Sequence, residues 1–366
     1  MTVQVHSTAT AADSTMTGTE AADRGRATAQ PFAQVWTGGS EFELRTFDRP
    51  QLAPGESLIR LTAATVCGSD RHTVSGRRSG ACPSVLGHEG VGIVEETRGD
   101  VPVGTRVVFS VTSVCGQCRN CRRGLSAKCS SVRKVGHESA ESDWALSGTY
   151  ASHIHLPAGV AMVPVPDSLP DGVAATAGCA VATVMAMCEA AGDLRGRRVF
   201  VNGIGMLGLT AVGAALARGA AEVVAADPHP DRRSLADRAG ATRSVEPGEE
   251  IADVDVALEL SGAESGVRSC ISSLGVGGVV VLAGSVTPGP QVSIDPEQMV
   301  RGWRTITGVH NFEPHHLAEA VEFLAADGGT LPWEDILGGP IPLADLAKEF
   351  ASPTKSLRTI VSLITT

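Results

Sequence analysis

The chain has 366 residues, 43% of them hydrophobic, with 42 glycines and a formal net charge of −10. That length accommodates two domains of ordinary size, and the acidic balance excludes a general nucleic-acid binder, whose affinity rests on neutralising phosphates. No apolar run reaches the roughly 18–20 residues that span a bilayer, and no charged start with an apolar core marks a secretory signal. The expected compartment is the cytoplasm, where nine cysteines point to metal rather than to disulfides.

Residues 1–30 are rich in Ala, Thr and Ser without apolar periodicity, and read as a disordered extension. From Pro31 to about Val165, short β-rich runs alternate with Gly/Pro turns. Ser57–Ala63, Gly90–Glu95 and Thr105–Val111 are examples, and together they predict a compact β barrel. Between the first two lies VCGSDRHTVSGRRSGACPSVLGHEG, residues 66–90. Zinc prefers thiolate and imidazole, and a catalytic zinc takes three protein ligands with a fourth position open. Cys67 and His88 would supply two; the alternative is a buried structural Cys and an unrelated loop His. Cys115-x2-Cys118-x2-Cys121-x7-Cys129 closes a tetrahedron with no open position, so it predicts a structural zinc stapling a loop. An iron–sulfur cluster is the rival occupant of four thiolates. His137-Glu138 repeats the Gly-His-Glu triplet of 87–89. We read it as unrelated to zinc, with His137 and Trp144 at the substrate entrance. Gly148–His153 reads as a strand and Val163–Pro170 as a connector.

Residues 171–190, DGVAATAGCAVATVMAMCEA, are helical in composition. A Cys in an alanine-rich helix is usually core, yet Cys179 is the candidate for the third ligand, with Thr183 one turn on along the same face. Next come a strand, Arg198–Asn202, and Gly203-x-Gly205-x-x-Gly208, opening an apolar helix over Met206–Ala217. Flanked by strand and helix, and followed by Asp227 at the end of Glu222–Ala226, this is a dinucleotide fingerprint. The glycines let backbone approach a pyrophosphate, and the helix start at Met206 and Leu207 offers N–H groups and positive dipole. Asp227 can accept both ribose hydroxyls and would repel a 2′-phosphate, favouring NAD; Arg232 and Arg233 keep NADP open. Further strands at Val254–Leu260 and Gly278–Ala283, separated by a helix over Ala263–Ser273, predict a doubly wound parallel sheet. A loop over Pro288–Asp295, a strand at Trp303–Val309, an amphipathic helix over Pro314–Ala326 and a strand at Ser356–Leu363 complete the chain.

The order of VCGSDRH, LGHEG, the four-cysteine run, AGCAVAT, GIGMLG and KSLRTIV over residues 31–366 resembles the zinc-dependent medium-chain alcohol dehydrogenases. The resemblance implies a GroES-like catalytic domain over 31–180 and 313–366, with the zinc lobe at 115–129, and a Rossmann NAD-binding domain over 181–312. It implies a catalytic zinc on Cys67, His88 and Cys179, Glu89 as alternate ligand, and Asp70 orienting His88. Ser69 and His72 match the proton relay, Thr183 a residue beside the nicotinamide, and Arg358 one that pairs with the pyrophosphate. Gly68 departs from relatives that carry an Arg to the pyrophosphate. The activity implied is hydride transfer between a small-molecule alcohol and NAD(H), with a second, structural zinc, in a homodimer or homotetramer. A zinc-free quinone or enone reductase would not need Cys67, His88 and Cys179 together. A silent dinucleotide-binding protein would have no use for the relay.

Arg71, Arg77 and Arg78 cluster near Ser69, and guanidinium groups bind phosphate-like anions bidentately. This GRR, with ITGVHNF at 306–312, also resembles the branch associated with phosphonate metabolism. The expectation is an anionic, phosphonate-bearing substrate, with His310 either near the nicotinamide or an ordinary strand-end residue. Cys82, Cys188 and Cys270 are assigned to packing or surface.

Overall fold

The computed structural model describes residues 30–364, so the expected N-terminal extension lies outside the described residues apart from Gln30. Ser57–Thr65, Gly90–Thr97 and Arg106–Ser113 are antiparallel neighbours in the middle of an eight-stranded sheet. His153–Leu156 and Val160–Pro164 join off the main path and curl the sheet into a barrel-like body. Its interior holds Ile59, Leu61, Phe109, Trp144 and Tyr150, all at most 1% exposed. The chain returns to this sheet at its end: Arg358–Ser362 pairs antiparallel with Ser57–Thr65.

The strand expected at Gly148–His153 begins only at His153. Gly148 lies where a Cβ would come within 2.1 Å of the Val85 carbonyl oxygen. The Tyr150 N–H donates to the Leu86 carbonyl. This stretch therefore packs against the segment carrying His88 and Glu89 instead of extending a ladder.

The second sheet has six parallel strands in the order Arg243–Val245, Glu222–Ala226, Arg198–Asn202, Val254–Glu259, Leu274–Leu282, Thr305–Gly308. Numbered along the chain this is 3-2-1-4-5-6, the Rossmann order, with its ligand crevice beyond the carboxyl ends of the two central strands. The helix Met206–Ala217 has the bounds expected of it. No single helix among the described residues is long and apolar enough to cross a membrane.

One expected helix is broken. Residues 171–190 form Asp171–Ala175, a 3-10 turn at Thr176–Gly178, and a helix over Ala180–Ala191, with Cys179 at φ −141°, ψ −76° between them. Gly178 packs where a Cβ would lie 2.6 Å from the Phe109 carbonyl oxygen, which pins the turn to the barrel. The break aims Cys179 at the barrel instead of into the helix core.

Candidate active site

The strand Ser57–Thr65 ends at the short helix Gly68–Val74, with Cys67 at its N-cap. Asp70 reaches back to cap the turn, its Oδ2 accepting from the Cys67 N–H at 3.1 Å. His88 and Glu89 precede the strand Gly90–Thr97, and Cys179 arrives at the helix break. Ligand atoms of Cys67, His88, Glu89 and Cys179 all lie within 4.8 Å of one another. This set of two sulfurs, an imidazole and a carboxylate fits zinc.

The surroundings prepare these donors. His88 Nδ1 faces Asp70 Oδ1 at 3.3 Å, an ion-pair separation too bent for a hydrogen bond, leaving Nε2 towards the sulfurs and 3.3 Å from Ser69 Oγ. Tyr150, the only tyrosine in the chain, donates its hydroxyl to Asp70 Oδ2 at 2.8 Å. Burial opposes charge on His88, but Asp70 and Cys67 outweigh it and raise its pKa well above the usual imidazole value. A hydrogen bond with Cys179 lowers the Cys67 pKa well below that of a free thiol, burial opposing and Arg358 assisting. The same bond and burial push Cys179 up. Cys67 is thus the readier thiolate of the pair.

Arg358, expected at a pyrophosphate, borders the cavity that holds the glycine fingerprint and is engaged by Glu89. It is 5% exposed and donates from Nε and Nη2 to Glu89 at 2.8 and 3.1 Å, with Nη2 also 3.4 Å from Cys67 Sγ. Thr65 Oγ1 adds a third donor to Glu89 at 2.6 Å. A buried carboxylate demands such partners, and Glu89 holds the guanidinium inward.

Cys67, His88, Cys179 and Arg358 line a cavity of about 730 Å³ that also reaches Ser69, His72, Thr183 and the glycine fingerprint. Gly203 sits at φ +94° with Ser261 N 2.6 Å from where a Cβ would be, and a Cβ on Gly208 would strike the Gly203 carbonyl. Gly205 faces open space, so a ligand can approach its backbone. Met206, Leu207 and Arg232 line the same cavity. Asp227 is buried and engaged: it accepts from the Ile204 N–H at 2.8 Å and from the His229 N–H and Nδ1 at 2.9 Å, with Arg232 at 3.6 Å. Burial pushes its pKa up, but the hydrogen bonds from His229 and Ile204 prevail and keep it ionised. Arg233 bonds the Asp227 carbonyl and Glu246, facing away from the cavity lining.

The expected substrate arginines separate. Arg71 is held by buried Glu349, Nη2 to Oε1 at 2.6 Å, although it borders the cavity. Arg77 is exposed and outside the cavity lining. Arg78 and His310 line it. His137 also lines it, but Trp144 is 1% exposed and bonds the His155 carbonyl, so it takes no part in an entrance. Among the described residues no hydrogen bond links Ser69 to His72, though both border the cavity. Lys134, which drew no attention in the sequence, lines it too; its signal was its place just before the repeated Gly-His-Glu triplet.

Cys115, Cys118, Cys121 and Cys129 form a second cluster with sulfurs within 4.8 Å of one another. Backbone N–H groups of Cys115 and Ser131 point at Cys129 Sγ, and that of Cys121 at Cys118 Sγ. Such donors lower Cys118 to about 5 and Cys129 to about 7, while burial leads in raising Cys121 to about 12. This all-sulfur set fits a closed metal site. A third cluster, Glu189 with His315 and His316, does not: His316 Nδ1 accepts from the Glu313 N–H, so Nε2 carries the proton it gives to Glu189.

The comparisons with known proteins agree with this architecture. The alcohol dehydrogenase GroES-like domain model matches residues 53–167, and the zinc-binding dehydrogenase model matches residues 206–326. An L-threonine 3-dehydrogenase from Rhizobium rhizogenes is 31% identical over 285 residues, covering 72% of this chain and 78% of that protein. An alcohol dehydrogenase from Thermotoga maritima superposes with a TM-score of 0.84 at 24% identity, over 91% of this chain and 99% of that one. A cobalt- and zinc-bound thermostable alcohol dehydrogenase from Pyrobaculum aerophilum gives 0.77 at 27% identity, over 91% and 100%. The chain is an enzyme of the zinc-dependent medium-chain alcohol dehydrogenase family, built from a GroES-like and a Rossmann fold and working with a nicotinamide cofactor.

Proposed function

We propose that the chain oxidises an alcohol, or reduces the matching carbonyl, with NAD(H), using a catalytic zinc on Cys67, His88 Nε2 and Cys179 and a structural zinc on Cys115, Cys118, Cys121 and Cys129. The observation that carries this is the meeting of Cys67, His88 and Cys179, remote in sequence, on the floor of a cavity that reaches Gly205. When bound there, zinc supplies Lewis acidity towards a hydroxyl or carbonyl oxygen. Glu89 is the alternate ligand, held back by Arg358. Ser69 Oγ accepts the alcohol's proton as it gives up its own, which His72, one turn along the same helix, passes towards solvent. Thr183, whose hydroxyl is tied to the Cys179 carbonyl at 2.7 Å, packs beside the nicotinamide. Gly203, Gly205 and Gly208 with the helix start at Met206 and Leu207 bind the pyrophosphate, and Asp227 the adenosine ribose. NADP is the second reading, favoured by Arg232 at 3.6 Å from Asp227.

The catalytic domain spans 31–180 and 313–366, and the cofactor domain 181–312. The strand Thr305–Gly308 ends the parallel sheet, and nearby Trp303 and Val300 are 82% and 73% exposed. A sheet edge flanked by exposed apolar residues suits pairing with a second copy, in a homodimer or homotetramer, and the cytoplasm suits the free thiols. The substrate carries an anionic group, as in a phosphonate-bearing hydroxy compound or aldehyde, with Arg78 and His310 in its cavity. Kinetics with NAD⁺ and NADP⁺ on matched alcohols with and without a phosphonate test this. Equal kcat/KM for both alcohols removes the anionic substrate, and absence of turnover in the zinc-loaded protein removes the dehydrogenase.

A further inference from the structure

The chain is acidic overall, yet one end of the substrate cavity collects positive groups that no carboxylate pairs with among the described residues. Lys134 belongs to the two-residue strand Arg133–Lys134, paired with Thr112 and Ser113. Successive strand residues face opposite ways. Arg133 turns outward, bonding Asp143 at 2.7 Å and lying 5.1 Å over the Trp144 ring. Lys134 therefore turns inward and lines the cavity above Cys67, His88 and Cys179.

The adjacent acid, Glu138, is spent elsewhere. Glu138 accepts from the Lys134 backbone N–H at 3.0 Å and pairs with Arg133 at 3.5 Å. Burial lowers the Lys134 amine, Arg78 and Lys128 push it further down, and only the Cys179 sulfur opposes them. Arg78 has no hydrogen bond or ion pair from its side chain among the described residues, and its backbone N–H closes a loop onto the His72 carbonyl. His310 completes the group. Its Nδ1 meets Lys128 Nζ, which has only donors to offer, so the ring proton sits on Nε2. Burial, with Lys128, Lys134 and Arg78 around it, lowers its pKa to about 4 and keeps it neutral. Two uncompensated cations and one neutral N–H donor in a single cavity make a receptor for oxyanion oxygens.

We propose that Lys134, supported by Arg78 and the Nε2–H of His310, is the specificity-determining cation that binds the anionic end of the substrate opposite its reacting carbon. This rests on the dehydrogenase reading for the reaction but not for the binding site. Arg71 and Arg77 have no part in it: one is neutralised by Glu349 and the other lies outside the cavity.

The test uses the zinc-loaded, full-length enzyme. The kcat/KM ratio of 2-hydroxyethylphosphonate to 1-propanol is compared in wild type, Lys134→Met, Lys134→Arg and Arg77→Met. A charge-assisted hydrogen bond of ordinary strength predicts that the ratio falls about tenfold to a hundredfold in Lys134→Met, mainly through KM. It is largely restored in Lys134→Arg and holds in Arg77→Met. 3-Hydroxypropanoate in a parallel arm tells a tetrahedral dianion from a carboxylate. Inorganic phosphate titrated into the NADH-saturated enzyme reads the site without turnover, and its binding weakens by a similar factor in Lys134→Met. An unchanged ratio together with unchanged phosphate binding overturns the proposal. Loss of phosphate binding in an enzyme that turns over neither alcohol keeps the cation site and removes the dehydrogenase reading instead.

Discussion

Arg358 grips Glu89 through two hydrogen bonds, at 2.8 and 3.1 Å, beside Cys67, with both residues at most 5% exposed. The pair joins the strand Arg358–Ser362 to the segment carrying His88, so a residue expected at the cofactor also braces the wall of the cavity. Replacing one partner leaves a buried charge alone, which costs about 3–5 kcal/mol. Arg358→Gln is expected to lower Tm clearly, and zinc should leave the variant more readily. A stable variant whose sole defect is weaker NAD⁺ binding would leave Arg358 a pyrophosphate contact and no brace.

Asp70 fixes which nitrogen of His88 is free. Asp70→Asn removes the charge facing Nδ1 while keeping its size, and loss of such an outer partner typically costs 10–100-fold in metal affinity or activity. We expect zinc affinity and kcat to fall together by about that factor, measured by competition with a chelator and by steady-state kinetics. Tyr150→Phe, which removes one donor to Asp70, should show a smaller effect in the same direction.

His137 and His310 are both held near pKa 4 against an ordinary 6.5, burial being the leading cause. Between these values the unfolded chain binds more protons than the folded one. Their contribution to stability is full above about pH 6.5 and is lost as pH falls towards about 4. Tm should therefore decline over that window, and the slope should flatten in His137→Asn and His310→Asn. An unchanged slope would show the two rings protonated in the fold.

Asp227 discriminates cofactors only if its carboxylate still reaches a ribose while bonded to Ile204 and His229. Asp227→Ser is expected to lower the NAD⁺-to-NADP⁺ ratio of kcat/KM by about tenfold or more, the worth of a hydrogen bond to a charged group. A ratio that does not move would leave cofactor choice to Arg232 and its neighbours.

The parts written locally in the chain were legible. Met206–Ala217 has its observed bounds because the glycines before it and the apolar run within it act over a single turn or helix. The four-cysteine lobe was legible for the same reason. What the sequence hides is the distant partner of a side chain. Arg358 and Glu89 are 269 residues apart, and Arg71 and Glu349 are 278 apart, so nothing near either arginine announces its carboxylate. The break at Cys179 defeats helix propensity because Gly178 is pressed against the Phe109 carbonyl of another element. Lys134 is hard to place from sequence because a two-residue strand carries no periodicity of its own.

The account stands on a metal gathered by side chains from separate parts of the chain. Zinc counted per chain by mass spectrometry, in the wild type and in Cys179→Ala, tests it most directly. The expected result is two ions in the wild type and one in the variant, with turnover lost. Two ions and undiminished turnover in the variant would contradict it.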